Sequence, residues 1–421
     1  MIKVYNIILQ IVEKFLQLVF LFLKKESKSK VSLFVKGQHG LLAHVAEDMK
    51  ARPKRPTIWF HASSLGEFAV ARPLIARLKQ EHDCTIVVTF FSSTGCEALQ
   101  NNHPNIDYLY YLPLDTKKNA CAFLDAVKPD AVAFIISEFW CNYLRELQRR
   151  EIPTYLISGL IRDNATFFKW YGGFYRKALN AFTQFFVLDK HSKQNLNTLG
   201  FDNVTISGDP LFDNAYTVAT TEWHNTVMEH FANGEKVFVA GSIHDENDLN
   251  IISQLANKHK DTKFIFVPHE ISSELNDKIK NGLNGGALCY TECDEKTDFS
   301  TTQVLIIDFV GALAYLYRYG TWAYVGGGFT RLLHSVIEAT VYGLPVSFGP
   351  RIHRKVTPNQ LVELNIGRVV HNFEEIDNWF VALKDNDAEL KKIKETSAGY
   401  LSQNVGATDR IVKTLGQGIW E

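Results

Sequence analysis

The sequence lacks several features that would narrow its function. Its six cysteines form no CxxC pair and have no histidines at metal-ligand spacing beside them, so a zinc site is not indicated. Lys and Arg number 45 against 46 Asp and Glu, and the resulting net charge of −1 gives no basic field that would favour nucleic acid. We therefore expect buried thiols in a reducing compartment, no structural metal and no nucleic-acid partner.

The composition is that of an ordinary folded protein. Hydrophobic residues make up 46% of the chain and charged residues 22%, which indicates neither disorder nor a polytopic membrane protein. At 421 residues the chain is too long for one ordinary core, since domains average roughly 150 residues. We expect two large domains, mostly folded and water-soluble.

One strongly apolar segment lies at the amino terminus. Residues from Tyr5 to Leu23 are mostly Ile, Leu, Val and Phe, and the polar residues that interrupt them share one helical face: Asn6, Gln10, Glu13, Lys14 and Gln17. The segment is followed by lysines that would meet anionic headgroups, namely Lys24, Lys25, Lys28 and Lys30. The pattern predicts an interfacial helix that anchors the chain to a membrane surface.

Three other interpretations of this segment stay open. A spanning helix needs about 20 largely uncharged residues, so Glu13 and Lys14 would have to pair inside the bilayer. A secretory signal needs a small-residue cleavage site, which does not follow the apolar run cleanly. The segment could also be a buried amphipathic helix of a soluble protein.

Beyond the basic residues near Arg52, short β-branched apolar runs alternate with amphipathic stretches, as in parallel α/β proteins. In the first half the predicted strands are Thr57–Phe60, Thr85–Phe90, Tyr108–Leu112, Ala131–Ile136, Thr154–Ile157, Phe185–Leu188 and Val204–Ser207. In the second half they are Val237–Ala240, Phe264–Val267, Val304–Ile307, Trp322–Val325 and Val346–Phe348. Each series predicts a doubly wound, Rossmann-like sheet.

The strand pattern stops between Asp213 and Gly234, where a polar helix and an Asn-Gly turn intervene. We assign residues 1–30 to the anchoring helix and basic linker, 31–215 to an amino-terminal domain and 216–421 to a carboxy-terminal domain. The two domains are expected to face a central cleft, with ligands at the carboxyl ends of the strands.

A carboxylate follows the first predicted strand. The strand runs into Ala62, Ser63, Ser64 and Gly66, whose small side chains leave space, and Glu67 stands in the opening turn of the next helix. Acids at helix starts usually only stabilise the helix, so capping is an adequate explanation. The position at the ligand-facing edge favours catalysis slightly.

A second carboxylate follows the strand that ends at Ile136. Glu138 lies in Ser137-Glu138-Phe139-Trp140 and could bind a sugar hydroxyl or an acceptor. From spacing alone, a helix-initiating Ser and Glu with a core Trp140 is the more frequent arrangement.

The strongest local pattern is the triple glycine Gly326, Gly327 and Gly328 after the strand Trp322–Val325. Glycines let a nucleotide or sugar approach the backbone closely, and a following helix with His334 and Glu338 at i and i+4 would direct its positive end toward a phosphate. The pattern is not GxGxxG, and glycine-rich turns of this kind are frequent.

Two histidines follow strands of the same predicted sheet. His244 lies after the strand Val237–Ala240, and His269 lies after the strand Phe264–Val267. A single histidine of this kind is more often a solvated or capping residue. Both would contact a phosphate or base if the loops converge beside the glycine turn.

Together these segments resemble the Kdo transferases, which transfer 3-deoxy-D-manno-octulosonic acid to the inner core of lipopolysaccharide. The resemblance covers nearly the whole chain. It rests on motifs in order: HASSLGEF with Glu67, SEFWCN with Glu138, FFKWYGGFYRK from Phe167 to Lys177, SGDPLFDN around Asp209, AGSIHDEND with Ser242 and His244, VPHEI with His269, and VGGGFTRLLHSVIEATVYGLPVSFGPR.

The resemblance implies a GT-B fold and a metal-independent, inverting glycosyltransferase without a cofactor. CMP-Kdo would be the donor and a lipid A precursor, lipid IVA, the acceptor, at the cytoplasmic face of the inner membrane. Glu67 would be the general base. The acceptor side would use Ser64, Gly66, Glu138 and Arg162, and the donor side would use Ser242, His244, His269, Gly326, Gly327, Gly328, His334, Ser335 and Glu338.

Two alternatives remain. A GT-B-fold nucleotide-sugar epimerase would share the two-domain cleft but would need no anchor and no Glu67. A membrane-tethered sugar-nucleotide-binding protein without turnover is favoured by Ser335 and Ala312, which stand where the family has Asn and frequently an acid.

Overall fold

The computed structural model describes residues 2–22, 29–99, 105–330, 332–353, 355–417 and 419–420. They form two compact units, one of Met1–Asp213 with Asn404–Glu421 and the other of Asn214–Gln403. The predicted linker lysines Lys24, Lys25 and Lys28 lie outside the described residues.

The first unit is built on a parallel seven-stranded sheet in the order β3-β2-β1-β4-β5-β6-β7. Its strands are β1 Thr57–Ala62, β2 Thr85–Phe90, β3 Tyr108–Tyr111, β4 Ala131–Ile135, β5 Thr154–Gly159, β6 Gln184–Val187 and β7 Val204–Ile206. Its first nine helices are α1 Ile2–Phe22, α2 Lys30–Gln38, α3 Leu41–Lys50, α4 Leu65–Glu81, α5 Ser93–Leu99, α6 Lys117–Val127, α7 Cys141–Arg149, α8 Gly173–Leu179 and α9 Lys190–Thr198.

The sheet of the first unit is buried on both faces, as parallel sheets with crossover helices must be. Strand β1 shows why its sequence reads as a continuous apolar run. Trp59 belongs to the core on one face, while Ile58 and Phe60 belong to the core on the other.

The second unit repeats this architecture with the parallel order β10-β11-β9-β8-β12-β13-β14. Its strands are β8 Val237–Ile243, β9 Lys263–Pro268, β10 Gly286–Cys289, β11 Thr302–Ile306, β12 Trp322–Val325, β13 Val346–Phe348 and β14 Gly367–Val369. The remaining helices are α10 Pro210–Thr220, α11 Thr226–Ala232, α12 Glu246–Lys258, α13 Ser273–Asn281, α14 Leu313–Leu316, α15 Ile337–Thr340, α16 Val356–Glu363, α17 Phe373–Lys384, α18 Asp387–Asn404 and α19 Ala407–Leu415.

The predicted fold class is confirmed, and all twelve predicted strands are present. The short strands β10 and β14 were not predicted. The carboxy-terminal residues differ from the assignment, because Asn404–Glu421 group with the first unit and not with the second. Helix α19 buries Ile411, Val412 and Leu415 in the core of the first sheet, a partnership that sequence order conceals.

Helix α1 is hydrogen-bonded to the rest of the first unit through Asn6 and Glu13 of its polar stripe, whereas Gln10, Lys14 and Gln17 are exposed. Tyr5 donates from its hydroxyl to Asp115 at 2.6 Å, and Asn119 donates to Glu13 at 2.7 Å. Asn142 donates to Asn6 at 2.8 Å. The apolar side chains of α1 remain exposed: Val4, Ile7, Ile8, Ile11, Val12, Phe15, Leu18, Leu21 and Phe22.

Candidate functional site

The candidate residues of the first unit lie at its topological switch point, the place in the sheet where the order of the strands reverses. Strands β2 and β3 extend to one side of β1, and β4 to β7 extend to the other. Open α/β sheets bind ligands at the carboxyl ends of the two strands that flank this point. Glu67 follows β1 and Glu138 follows β4, so two separate motifs converge there.

Glu67 lies in the first turn of α4, as predicted. Its backbone N–H donates to the N-cap hydroxyl of Ser64 at 3.4 Å, and its carboxylate accepts from the Ser63 N–H at 2.6 Å. Burial, with a smaller contribution from the charge of Glu138, nevertheless raises the pKa of Glu67 to about 7. A raised pKa does not help a carboxylate that only caps a helix. It does suit a general base, which works best when its pKa lies near the pH of the reaction.

Glu138 lies in a loop and does not start a helix, because α7 begins only at Cys141. Its carboxylate accepts from the indole N–H of Trp140 at 2.7 Å and lies 3.2 Å from Nε2 of His61. Burial alone would raise the pKa of Glu138. The hydrogen bond and charge of His61, with hydrogen bonds from Ser63 and Trp140, hold that pKa below its usual value.

The first site therefore contains two carboxylates whose pKa values are shifted in opposite directions, upward for Glu67 and downward for Glu138. We define the β1–β4 cluster as Glu67, Glu138, His61 and Trp140. His61 is fully buried, and its Nδ1 lies 2.8 Å from the hydroxyl of Thr89, which orients the ring. Environments that move the pKa values of neighbouring acids apart are typical of acid–base chemistry.

The backbone beside Glu138 is strained. Ile136 has a φ of 65°, in the left-handed region that β-branched residues seldom adopt. Such strain costs about 1–3 kcal/mol and clusters at functional sites. The left-handed conformation of Ile136 ends strand β4 and begins the loop that carries Glu138.

The other predicted residues of the first unit lie around this cluster. Ser64 caps α4, and Gly66 is exposed in its first turn. Arg162 is exposed in the loop after β5. That loop contacts the Glu138 loop, since the hydroxyl of Ser137 donates to the Leu160 carbonyl at 3.2 Å.

The candidate residues of the second unit lie at its own switch point, between β8 and β12. Ser242 lies near the end of β8 with a φ of 53°, at an irregularity in the pairing with β9. The glycine turn Gly326–Gly328 follows β12 directly. A Cβ on Gly326 would overlap the Ser242 carbonyl, and a Cβ on Gly328 would overlap Gly349, so these positions require glycine.

Asp248 joins the two loops at this switch point. Its carboxylate accepts from the hydroxyl of Tyr324 at 2.6 Å, from the Gly327 N–H at 2.7 Å and from the His244 N–H at 3.0 Å. The side chain is fully buried. Asp248 thus fixes the backbone on which both His244 and the glycine turn depend.

Replacing Gly327 with alanine should destabilise this turn by about 1–3 kcal/mol, the usual cost of a strained backbone position. Gly327 has a φ of 84°, and an added Cβ would collide with the carbonyl of Leu332. Urea unfolding would measure the change. Gly399→Ala is the matched control, because a Cβ there meets nothing within 4 Å in the middle of α18. Equal stabilities of the two variants would contradict the role assigned to Gly327.

Three predicted histidines meet beside the glycine turn. The ring centroids of His269 and His334 are 4.3 Å apart. The ring centroid of His244 lies 5.0 Å from that of His269 and 5.5 Å from that of His334. Nδ1 of His244 and Nε2 of His334 are buried and have no hydrogen-bond partner among the described residues. Burial, and then the neighbouring His269, His244 and Lys355, lower the pKa of His334 to about 4.

These side chains are therefore available to a ligand. One ring nitrogen from each histidine lies within 4.8 Å of the others, a spacing that could also hold a divalent ion. The expectation of no metal remains a prediction. We define the β8–β12 cluster as Ser242, His244, His269, His334 and the glycine turn.

The predicted position of the helix that follows the glycine turn was wrong. His334 precedes α15, which begins only at Ile337, so His334 and Glu338 do not lie one turn apart on a helix. The chain instead folds back, and the His334 N–H donates to the Gly326 carbonyl at 3.2 Å. Helix α15 has four residues and supplies no positive end beside the turn. Ser335 is exposed, and burial raises the pKa of Glu338 to about 6.

Comparison with known proteins identifies relatives of the chain. The family model described as 3-deoxy-D-manno-octulosonic-acid transferase (kdotransferase) matches residues 39–214. A transferase of that name from Rickettsia bellii is 25% identical over 85% of this chain and 87% of the relative. The chain is therefore similar to the Kdo transferases, through this family model and through relatives that align over most of its length. Another transferase of that name, from Chlamydophila psittaci, is 26% identical over 70% of each chain.

Solved structures support the fold. The UDP-GlcNAc 2-epimerase from Neisseria meningitidis superposes with a TM-score of 0.59, covering 86% of this chain and all of the epimerase. Its sequence identity is 17%, so the likeness shows the GT-B fold and does not transfer the epimerase reaction.

Sequence reasoning missed three residues that organise the two clusters: His61, Trp140 as a hydrogen-bond donor, and Asp248. His61 lies inside β1, where a buried histidine looks like part of the core. Asp248 lies in the first turn of α12, the same position that Glu67 has on α4, and that parallel was the available signal.

Proposed function

We propose that the chain transfers Kdo from CMP-Kdo to a lipid A precursor such as lipid IVA, with inversion and without a metal, and that Glu67 is the general base. The observation that carries the proposal is the pair of carboxylates at the β1–β4 switch point. Glu138 is held ionised by His61 and Trp140, and Glu67 has a pKa near 7.

The proposed step is a single displacement. The ionised Glu67 removes the proton from the acceptor hydroxyl, whose oxygen forms a bond to the anomeric carbon of Kdo. The bond from that carbon to the phosphate oxygen breaks, and CMP leaves with the electron pair. Attack from the face opposite the leaving group inverts the anomeric configuration. Ser64, Gly66, Glu138 and Arg162 would hold the acceptor.

The donor would occupy the β8–β12 cluster. The unpaired nitrogens of His244 and His334 suit the oxygens of a phosphate or a sugar carboxylate, and a neutral His334 can donate one N–H. The bare backbone of Gly326 to Gly328 lets the donor approach closely. Ser242, His269, Ser335 and Glu338 complete the proposed donor contacts.

The proposed location is the cytoplasmic face of the inner membrane. Helix Ile2–Phe22 is long and apolar enough to span a bilayer by length and composition. Tyr5, and Asn6 and Glu13 of its polar stripe, are however hydrogen-bonded to the rest of the first unit, and its apolar side chains are exposed. This arrangement favours a helix that lies in the interface over one that spans.

The experiment is a transfer assay with purified full-length protein, CMP-Kdo and tetraacylated lipid A precursor. We expect CMP release that depends on the acceptor, with a product of inverted configuration by NMR, unchanged by a chelator. Binding of CMP-Kdo without turnover would instead support the tethered binding protein, and conversion of UDP-GlcNAc would support the epimerase. Activity lost with the chelator and restored by Zn²⁺ would overturn the metal-independent step.

The rate of transfer should rise with pH through about 7, because Glu67 must lose its proton before it can act as a base. Glu138→Gln removes a negative charge that raises the pKa of Glu67, so the acidic limb of the pH–rate profile should move to lower pH. Glu151→Gln, an exposed carboxylate of the same unit, is the control. A limb that stays in place in Glu138→Gln would contradict the electrostatic coupling.

A further inference from the structure

Two adjacent aromatic residues of the first unit are exposed to solvent. Trp170 is 93% exposed and Tyr171 is 42% exposed, in the turn that leads into α8. Their rings pack on each other, with centroids 5.5 Å apart. Trp and Tyr side chains of this kind are favoured at membrane–water interfaces, where one part of the ring is apolar and another is wet.

The charge of this segment is of one sign. Residues Thr166 to Leu179 include Lys169, Arg176 and Lys177 and no acidic residue. Arg176 donates to the Phe167 carbonyl at 2.7 Å and so fixes the turn, while Lys169 and Lys177 are exposed. Exposed lysines beside aromatic rings suit a surface of anionic lipid headgroups.

The segment packs against helix α1. The ring of Tyr5 on α1 packs against Phe174 and Tyr175 of α8, with centroids 5.3 Å and 6.4 Å apart. The segment also adjoins the loop that carries Glu138, since the rings of Phe139 and Phe167 lie 4.8 Å apart. A surface contacted at this point would bring lipid headgroups to the loop that carries Glu138.

We propose that Trp170 and Tyr171, with Lys169 and Lys177, form a second contact of this protein with the headgroup region of the bilayer. The inference rests on the proposed use of a membrane-bound lipid acceptor. A single helix lying on a membrane leaves the attached unit free to roll about the helix axis. A second contact beside it fixes that rotation and turns the carboxyl edge of the first sheet toward the lipid.

The first test is quenching of tryptophan fluorescence by vesicles of phosphatidylglycerol and phosphatidylethanolamine with bromines at a shallow depth. We expect quenching in the wild-type protein that is greatly reduced in Trp170→Phe, since the difference isolates this one of the seven tryptophans. Equal quenching of the two proteins would overturn the proposal, because it would place Trp170 outside the interface.

The second test is co-sedimentation with the same vesicles. Lys169→Gln with Lys177→Gln should weaken partitioning about thirtyfold, since each lysine near an anionic surface contributes about 1 kcal/mol and 1.4 kcal/mol is tenfold. The exposed pair Lys391 and Lys392 on α18, changed in the same way, is the control and should bind as the wild type does. Equal partitioning of the two double variants would overturn the proposal.

These measurements need neither donor nor acceptor. A protein that binds vesicles through Trp170 but transfers no Kdo would refute the proposed function and leave this surface intact. A protein that transfers Kdo without quenching of Trp170 would do the reverse. Circular dichroism would verify the fold of each variant, and all substituted side chains are exposed.

Discussion

Replacing Glu67 with glutamine should lower the rate of Kdo transfer by about a hundredfold or more, the usual contribution of a positioned general base. Glutamine keeps the size of the side chain and can still accept from the Ser63 N–H, so the start of α4 should survive. What is lost is the ability to take a proton. Steady-state kinetics with saturating donor and acceptor would measure kcat directly.

The matched control is Glu374→Gln. Glu374 also lies in the first turn of a helix, α17, where it is exposed and has no proposed role in catalysis. It should retain the wild-type rate. If Glu67→Gln were as active as Glu374→Gln, the cap would be the whole role of Glu67, and the base would have to be sought elsewhere.

Asp248→Ala should destabilise the β8–β12 cluster by about 3 kcal/mol or more, because a buried donor left without its acceptor costs about 1–3 kcal/mol. Three donors lose their acceptor together: the hydroxyl of Tyr324 and the N–H groups of Gly327 and His244. Hydrogen exchange should speed up in peptides covering residues 241–249 and 322–330. Affinity for CMP-Kdo should fall with it.

Two further variants show how large the destabilisation by Asp248→Ala is. Tyr324→Phe removes one of the three hydrogen bonds and leaves both backbone contacts, so it should cost about 1 kcal/mol. Asp277→Ala, at an exposed aspartate of α13, should change stability by less than about 0.5 kcal/mol. Exchange in Asp248→Ala no faster than in Asp277→Ala would show that Asp248 does not hold the two loops.

Much of the fold could be read from local pattern. The strands Thr85–Phe90, Trp322–Val325 and Val346–Phe348 have the predicted bounds, since each is a short, mostly apolar run with glycine, proline or polar residues close to both ends. The shared helical face of the polar residues of α1 could also be predicted from their spacing. Their partners could not, because Asp115, Asn119 and Asn142 lie more than 100 residues along the chain from the residues that they bind.

The site was only partly predictable for a similar reason. Glu67 could be placed at a helix start, but its raised pKa depends on burial and on Glu138, which only the order of β1 and β4 brings near. His334 was placed on a helix because a helix was expected to follow the glycine turn directly. The contact of its N–H with the Gly326 carbonyl, which pulls it into a loop, is tertiary and leaves no local pattern.

The surface around Trp170 shows how a motif gains meaning from its neighbours. In the sequence, FFKWYGGFYRK is a mixed aromatic and basic segment that helped to identify the family. In the structure, the half-buried ring of Phe174 contacts α1, the buried ring of Phe167 contacts the Glu138 loop, and Trp170 and Tyr171 remain exposed. The same segment thus joins the proposed anchor to the proposed catalytic loop.

The most direct test of the central claim is mass spectrometry of the lipid after incubation of the full-length protein with CMP-Kdo and lipid IVA. The wild-type protein should convert the lipid to a product heavier by one or more Kdo residues, and Glu67→Gln should yield almost none in the same time. Unmodified lipid from a folded wild-type protein that binds CMP-Kdo would contradict the proposed transfer. Equal product from both proteins would contradict the role of Glu67.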